Sequence, residues 1–386
     1  RGFVDEMQGE AMVLLNNRGG VLPLDAAKTR RILVTGPLAD EANFMSSRYG
    51  PNGLEPTTVL KGLRDYLAGR AEVAYEKGCT VVNKGWPDSE LVPRPVTDEE
   101  EAQMAAAVRA ADGADVVIAV LGEDDRRVGE SRSRSSLELP GHQQLQLDRL
   151  IETGRPVVLV LVNGQPLTVN AAERRAAAIL ETWFPGPRGG IAVAKALFGE
   201  INPSGKLTVT FPKAVGQIEY NFPFKKGSHG RQNRSGDPNG SGVTRVIGPL
   251  YPFGHGLSYT TFAYSGLKVE GSAASGWTVS CDVANTGTRD GAEVVELYVR
   301  DPFASVVTYD SVLRGFEKVF LKAGEKRRVS LPLAARDLRI LDRNMKWTVE
   351  PGTFEIRVGA SSADIRLKGE IRVTEAIGFD ERVEGF

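Results

Sequence analysis

The sequence is poor in the residues that build metal centres and covalent cross-links. Only two cysteines, Cys79 and Cys281, occur in 386 residues, in segments that read as different domains. Neither has metal-ligand spacing. The three histidines, His142, His229 and His255, lie far apart, so no metal motif is visible and no cofactor is called for. Charge of one sign is also lacking. Lys and Arg number 48 against 49 Asp and Glu, a formal net charge of −1, which gives no reason to expect nucleic acid as a partner. No apolar run reaches the length of a membrane span. An initiator Met and a signal peptide are both missing from the opening RGFVDEMQGEAMVLLNN, which is already amphipathic and reads as an internal cut.

What is present suffices for a globular protein. The chain is 41% hydrophobic and 25% charged, a balance that buries a sizeable core. Its length allows two or three domains. Residues 2–17 read as a helix with Phe3, Met7, Met12, Val13, Leu14 and Leu15 as apolar members, stopped by Gly19-Gly20. From 27 to 215 strands alternate with helices. RRILVTG, AEVAYEKG, ADVVIAVL, RPVVLVLVNG and AAAILETW are strand candidates. Helices are predicted over 57–68, 97–112, 141–153 and 191–199. Thr97 with Glu100 forms a capping-box signature. Such alternation predicts a largely parallel sheet covered by helices on both faces.

LTVTF (207–211) reads as a further strand. KKGSHGRQNRSGDPNGSG (225–242) reads as a long exposed linker or lid. From 266 to 375 the pattern changes to short strands separated by turn signals such as NTG, KAGE and EPGT. This predicts a β-sandwich of the fibronectin type III kind, about 100 residues long. Trp277 and Trp347 read as its core or edge residues. The expected domains are therefore a lead-in at 1–26, an α/β sandwich at 27–215, a linker or lid at 216–256, the β-sandwich at 257–375 and a tail at 376–386.

One stretch is dense in chemistry. GEDDRRVGESRSRSSLELPG (122–141) directly follows the apolar strand ADVVIAVL. It carries Glu123, Asp124, Asp125 and Glu130, with Arg126, Arg127, Arg132 and Arg134 among them. Open α/β sheets place their ligands beyond the carboxyl ends of strands, yet a solvated loop has the same composition. GPRGG (186–190) before a helix offers a phosphate cradle, but it lacks the Lys-Ser/Thr of a P-loop and the GxGxxG spacing.

Four segments together resemble glycoside hydrolase family 3, the β-glucosidase and β-xylosidase family. They are AMVLLNNRGGVLPL (11–24), GESRSRSSLELPGHQ (129–143), WFPGPRGGIAVAKALFGEINPSGKLTVTFP (183–212) and YPFGHGLSYTTF (251–262). LRGFEKV and PGTFEIRVGASS are similar to the family's third domain. His255 falls at a variable position of the hinge motif and reads as structural. The resemblance implies that Glu130, four residues before Arg134, is the proton donor, with Glu123 as the fallback. A proton donor must be neutral at working pH, and Arg134 would lower a nearby carboxyl pKa. Arg134 is therefore expected to bind another group, structurally, within the loop.

Retaining glycosidases need a second carboxyl as nucleophile. The family's Ser-Asp-Trp neighbourhood, which lies in an N-terminal barrel, is not in this sequence. The resemblance thus implies a barrel elsewhere in a longer polypeptide, or in another chain, as partner. It implies hydrolysis of terminal β-D-glucosyl residues from β-linked oligosaccharides or glucosides, and a periplasmic or secreted location. A β-xylosidase or N-acetylglucosaminidase of the same family, and a non-catalytic carbohydrate-binding accessory protein, are the alternatives; a homodimer stays open.

Overall fold

A computed structural model of the chain describes residues 2–50, 55–217, 221–225 and 248–379. Apart from Lys225, the loop expected at 225–242 lies outside these residues, as does the tail from Asp380 onward. The chain divides into two units. The first comprises Arg1–Gly205, Pro212–Gly216 and Gly256–Tyr259; the second comprises Lys206–Phe211, Gln217–His255 and Thr260–Phe386.

The first unit runs α1 (Gly2–Ala11), β1 (Val13–Asn17), β2 (Arg31–Thr35), α2 (Val59–Leu67), β3 (Glu72–Glu76), α3 (Asp98–Ala111), β4 (Val116–Gly122), α4 (Gln143–Glu152), β5 (Val157–Val162), α5 (Asn170–Arg175), β6 (Ala178–Glu181) and α6 (Gly189–Leu197). Its sheet has the order β1-β6-β5-β4-β2-β3. Strands β2 to β6 are mutually parallel, and β1 adds antiparallel to β6. Every residue of β4 and β5 is buried. Their unbroken apolar runs follow from a sheet covered on both faces. The α3 start carries the expected capping box, with Thr97 Oγ1 accepting from Glu100 N and Glu100 Oε2 accepting from Thr97 N.

Two expectations are corrected here. The helix expected over residues 2–17 ends at Ala11, and Val13-Leu14-Leu15, at most 2% exposed, enter the sheet as part of β1. A run of Val and Leu satisfies either period; pairing with the edge of β6 decides for the strand. The presumed lead-in at 1–26 is thus partly sheet. LTVTF forms no regular strand either: Phe211 makes one isolated bridge, to Tyr251.

The second unit is all-β. It contains β7 (Phe262–Ser272), β8 (Gly276–Asn285), β9 (Gly291–Arg300), β10 (Val312–Leu321), β11 (Lys326–Leu333), β12 (Ile340–Leu341), β13 (Trp347–Val349), β14 (Gly352–Gly359), β15 (Ile365–Val373) and β16 (Ile377–Gly378). Sheets β10-β9-β14-β15 and β11-β8-β7 supply the inward residues Val279, Val283, Leu297, Leu321, Ile356 and Val358 of one core. Pairing throughout is antiparallel. The short strands expected between 266 and 375 are all present. The small sheet β12-β13-β16 is not foreseen by sequence, because strands of two or three residues carry no readable alternation. Trp277 lies in the core at 7% exposure, whereas Trp347 is half-buried with Arg339 over its ring at 4.9 Å.

Candidate active site

The five parallel strands stand in the order β3-β2-β4-β5-β6. Strand order reverses between β2 and β4, the kind of point beyond whose carboxyl ends open α/β sheets place their ligand crevice. The stretch after β4 is the charged segment singled out above. Its exit is set by Gly122, which has φ +140°; a Cβ at that position would stand 2.0 Å from Val162 O of the neighbouring β5. Only glycine combines that backbone with so close a strand. Gln143, buried at the start of α4, receives Gly122 N at 2.8 Å and donates to Gly122 O at 2.8 Å and Val81 O at 2.9 Å.

Glu130 lies in the loop after β4 and is exposed. Its main chain is held from the loop that follows β2. Glu130 N donates to Tyr49 Oη at 2.7 Å, and Arg48 Nη1 donates to Glu130 O at 2.9 Å. On either side, Gly129 (φ +99°) and Ser131 (φ +61°) are both left-handed, a conformation uncommon for serine. The structure therefore joins the loops after β2 and β4 at the residue that sequence reasoning nominated.

Glu123 is placed quite differently. It has no exposed surface. Its Oε1 accepts from Gln165 Nε2 at 2.8 Å and from Arg134 Nη1, while Oε2 has no partner among the described residues. Burial pushes its carboxyl above the usual range, against the pull of the Arg134 charge. Arg134, expected to bind within its own loop, also reaches beyond it. Its Nε and Nη2 meet Glu90 Oε1 at 2.7 and 2.6 Å, and Nη2 also donates to Glu138 O at 2.9 Å. Glu90 Oε2 accepts from Ser135 N at 2.9 Å and Ser135 Oγ at 2.7 Å. Burial would raise the Glu90 carboxyl, but Ser135 and Arg134 together hold it below its usual value. Beside this network Arg127 Nη1 donates to Asp124 Oδ2 at 2.5 Å.

Sequence reasoning missed two carboxylates. Glu90 sits in a 3-10 turn, Asp88–Glu90, far from the loop in sequence. Glu181 ends β6, inside a segment read only as an apolar strand. It is fully buried, with Oε1 accepting from Trp183 N at 2.7 Å and Oε2 from Asn163 Nδ2 at 3.1 Å. Burial outweighs both hydrogen bonds and pushes its carboxyl up to about 8; the Glu123 charge acts in the same direction. A single acid closing an apolar run was the only signal. GPRGG opens α6, and Gly190 N is engaged by Thr57 O at 3.0 Å, so that amide is used in packing. No group of three or more His, Cys, Asp or Glu residues suited to a metal ion occurs among the described residues, and none of their helices is long and apolar enough to cross a membrane.

Residues 12–259, which include the sheet and this loop, match the family model of the glycosyl hydrolase family 3 C-terminal domain. The chain belongs to glycosyl hydrolase family 3. Residues 293–362 of the family 3 chain also match a fibronectin type III-like domain, in agreement with the architecture of the second unit. Over 383 residues the chain is 39% identical to a β-xylosidase of Formosa agariphila, covering 95% of this chain and 49% of that protein. It is equally 39% identical, over 378 residues, to a periplasmic β-glucosidase of Salmonella typhimurium, covering 94% of this chain and 48% of the relative. Among solved structures, a β-glucosidase from Erythrobacter marinus superposes with a TM-score of 0.83 at 34% identity, covering 95% of this chain and 50% of that one. The family 3 chain thus spans about half the length of the curated relatives it matches.

Proposed function

We propose that this chain carries the general acid/base of a retaining β-glycosidase, Glu130, and that a barrel domain beyond these residues supplies the nucleophile. The observation that carries the reading is the placement of Glu130: main chain held by Tyr49 and Arg48 beyond the carboxyl ends of β2 and β4, residue exposed. Glu123, sealed at 0% exposure and paired with Arg134, has no path to a substrate oxygen. Relatives twice as long, with names that end in glucosidase and xylosidase, support a complement outside the chain.

In the first step the nucleophilic carboxylate attacks the anomeric carbon while Glu130 gives its proton to the departing glycosidic oxygen. In the second, Glu130 as carboxylate takes a proton from water, whose oxygen attacks the same carbon and releases the nucleophile. The two carboxyls of such a pair stand about 5–5.5 Å apart. We take the substrate to be a terminal non-reducing β-D-glucosyl residue. A β-D-xylosyl residue is the second reading, favoured by the equal identity to the β-xylosidase. A periplasmic or secreted location is supported by the relative named periplasmic.

The test uses the full-length enzyme. Glu130→Gln should lower kcat on alkyl β-glucosides by roughly 10²–10⁴-fold, the range of general-acid contributions, and much less on dinitrophenyl β-glucoside, which leaves without a proton. Equal losses on the two substrates would remove Glu130 from the proton-donor role. Turnover of nitrophenyl β-D-glucoside against the β-D-xyloside decides the sugar.

A further inference from the structure

We infer that Arg134 is a positioning residue for the general-acid step, acting with Glu123 and Glu90 as a clasp across the neck of the loop that carries Glu130. The inference rests on Glu130 being the proton donor.

Glu123 is the first residue after β4, and Arg134 follows it by eleven positions. Their ion pair ties the entrance of the loop to its exit, and the Nη2 bond to Glu138 O extends the tie along the exit segment. The lobe between them, residues 124–133, carries Glu130. Glu90 arrives from a separate segment and occupies the remaining edge of the guanidinium. All three nitrogens of Arg134 are thereby engaged, by three acceptor groups. The side chains of Arg134, Glu123 and Glu90 are 2%, 0% and 9% exposed. Such a fork can be filled by a planar guanidinium and not by a lysine ammonium, which presents one nitrogen.

Apart from the clasp, the lobe is located by Val128, buried at 7% exposure beside Gly164, and by a few polar contacts. Arg126, Glu130, Arg132 and Ser133 are exposed. At its base Asp124 pairs with Arg127, whose guanidinium lies over Trp86 at 5.6 Å, as that of Arg134 does at 5.7 Å. At its tip the main chain of Glu130 meets Tyr49 and Arg48. A proton donor works only within hydrogen-bond reach of the leaving oxygen, and small displacements cost rate steeply. The neck clasp therefore sets where the donor stands without touching the sugar.

The experiment is run on the full-length enzyme with Arg134→Lys, Glu90→Gln and the double variant. It measures kcat and KM on alkyl and dinitrophenyl β-glucosides, hydrogen exchange of residues 124–133 and the melting midpoint. We expect kcat on the alkyl substrate to fall at least about tenfold more than on the dinitrophenyl one, with KM within about threefold. Exchange in the lobe should accelerate, and the double variant should be no worse than the worse single, since both break one device. Equal losses on both substrates, or unchanged exchange in the lobe, would reduce the clasp to a structural staple. If Arg134→Lys fails to fold, Glu90→Gln, which leaves the pair with Glu123 intact, decides alone. Glu130→Gln separates the two levels. Should it show no leaving-group dependence, the donor assignment fails and takes the clasp with it; should it show one while the clasp variants do not, the clasp alone fails.

Discussion

Glu181 and Glu130 are both glutamates near the carboxyl end of one sheet, and their surroundings assign them opposite uses. Glu181 is fully buried at the end of β6, and burial raises its carboxyl to about 8. A carboxyl that ionises at about 4.3 in the unfolded chain but at about 8 in the folded one takes up a proton on folding between those values. The unfolded state then binds fewer protons, so stability falls as pH rises through that window. Glu181→Gln cannot titrate and should flatten this slope. Urea unfolding of the two proteins at pH 5 and pH 8 should show their difference in stability move in favour of the variant at the higher pH by a few kcal/mol, since each tenfold change in proton affinity on folding corresponds to about 1.4 kcal/mol. An unchanged difference between pH 5 and 8 would mean that Glu181 is ionised in the folded chain. Glu130, by contrast, is exposed.

At the scale of elements, α6 shows why glycine carries so much of this sequence. The pair Gly189-Gly190 reads as a permissive turn, but the structure uses it for close approach. A Cβ at Gly190 would stand 2.0 Å from Thr58 O, at the start of α2. Gly190→Ala should therefore push α6 from α2 and destabilise by about 1–3 kcal/mol, as overpacking does; chemical denaturation measures it, and an unchanged midpoint would show that the helices part at no cost. The elements themselves are largely legible in the sequence. β4 and β5 announce burial on both faces by unbroken valine and leucine runs, and Thr97 with Glu100 marks the start of α3. β1 is not legible in this way, because VLL fits helix or strand and only its pairing with β6 settles which.

Across the whole molecule, a retaining mechanism needs two carboxyls, and we assign this chain one. Residues 1–386 alone should then leave nitrophenyl β-D-glucoside at its uncatalysed rate, while the full-length enzyme turns it over. Measurable, Glu130-dependent turnover by the shorter protein would mean that the nucleophile lies within these residues. The two units differ in their parts: one is a parallel sheet with helices, the other antiparallel sheets around their own core. Every residue named at the candidate site belongs to the first unit. The tryptophans of the second are a core side chain and a ring covered by Arg339.

Periodicity and turn residues in the sequence alone determined the two architectures, because buried strands and caps are local properties of composition and spacing, and four motif segments carried the resemblance to family 3. They also singled out Glu130 and Arg134, since both lie in one charged loop. Tertiary structure alone decided what surrounds them. Glu90, Tyr49, Arg48 and Glu181 come from segments remote in the chain, and strand order brings them to one end of the sheet. Only once that order is formed do burial and distance distinguish an exposed glutamate from a buried one.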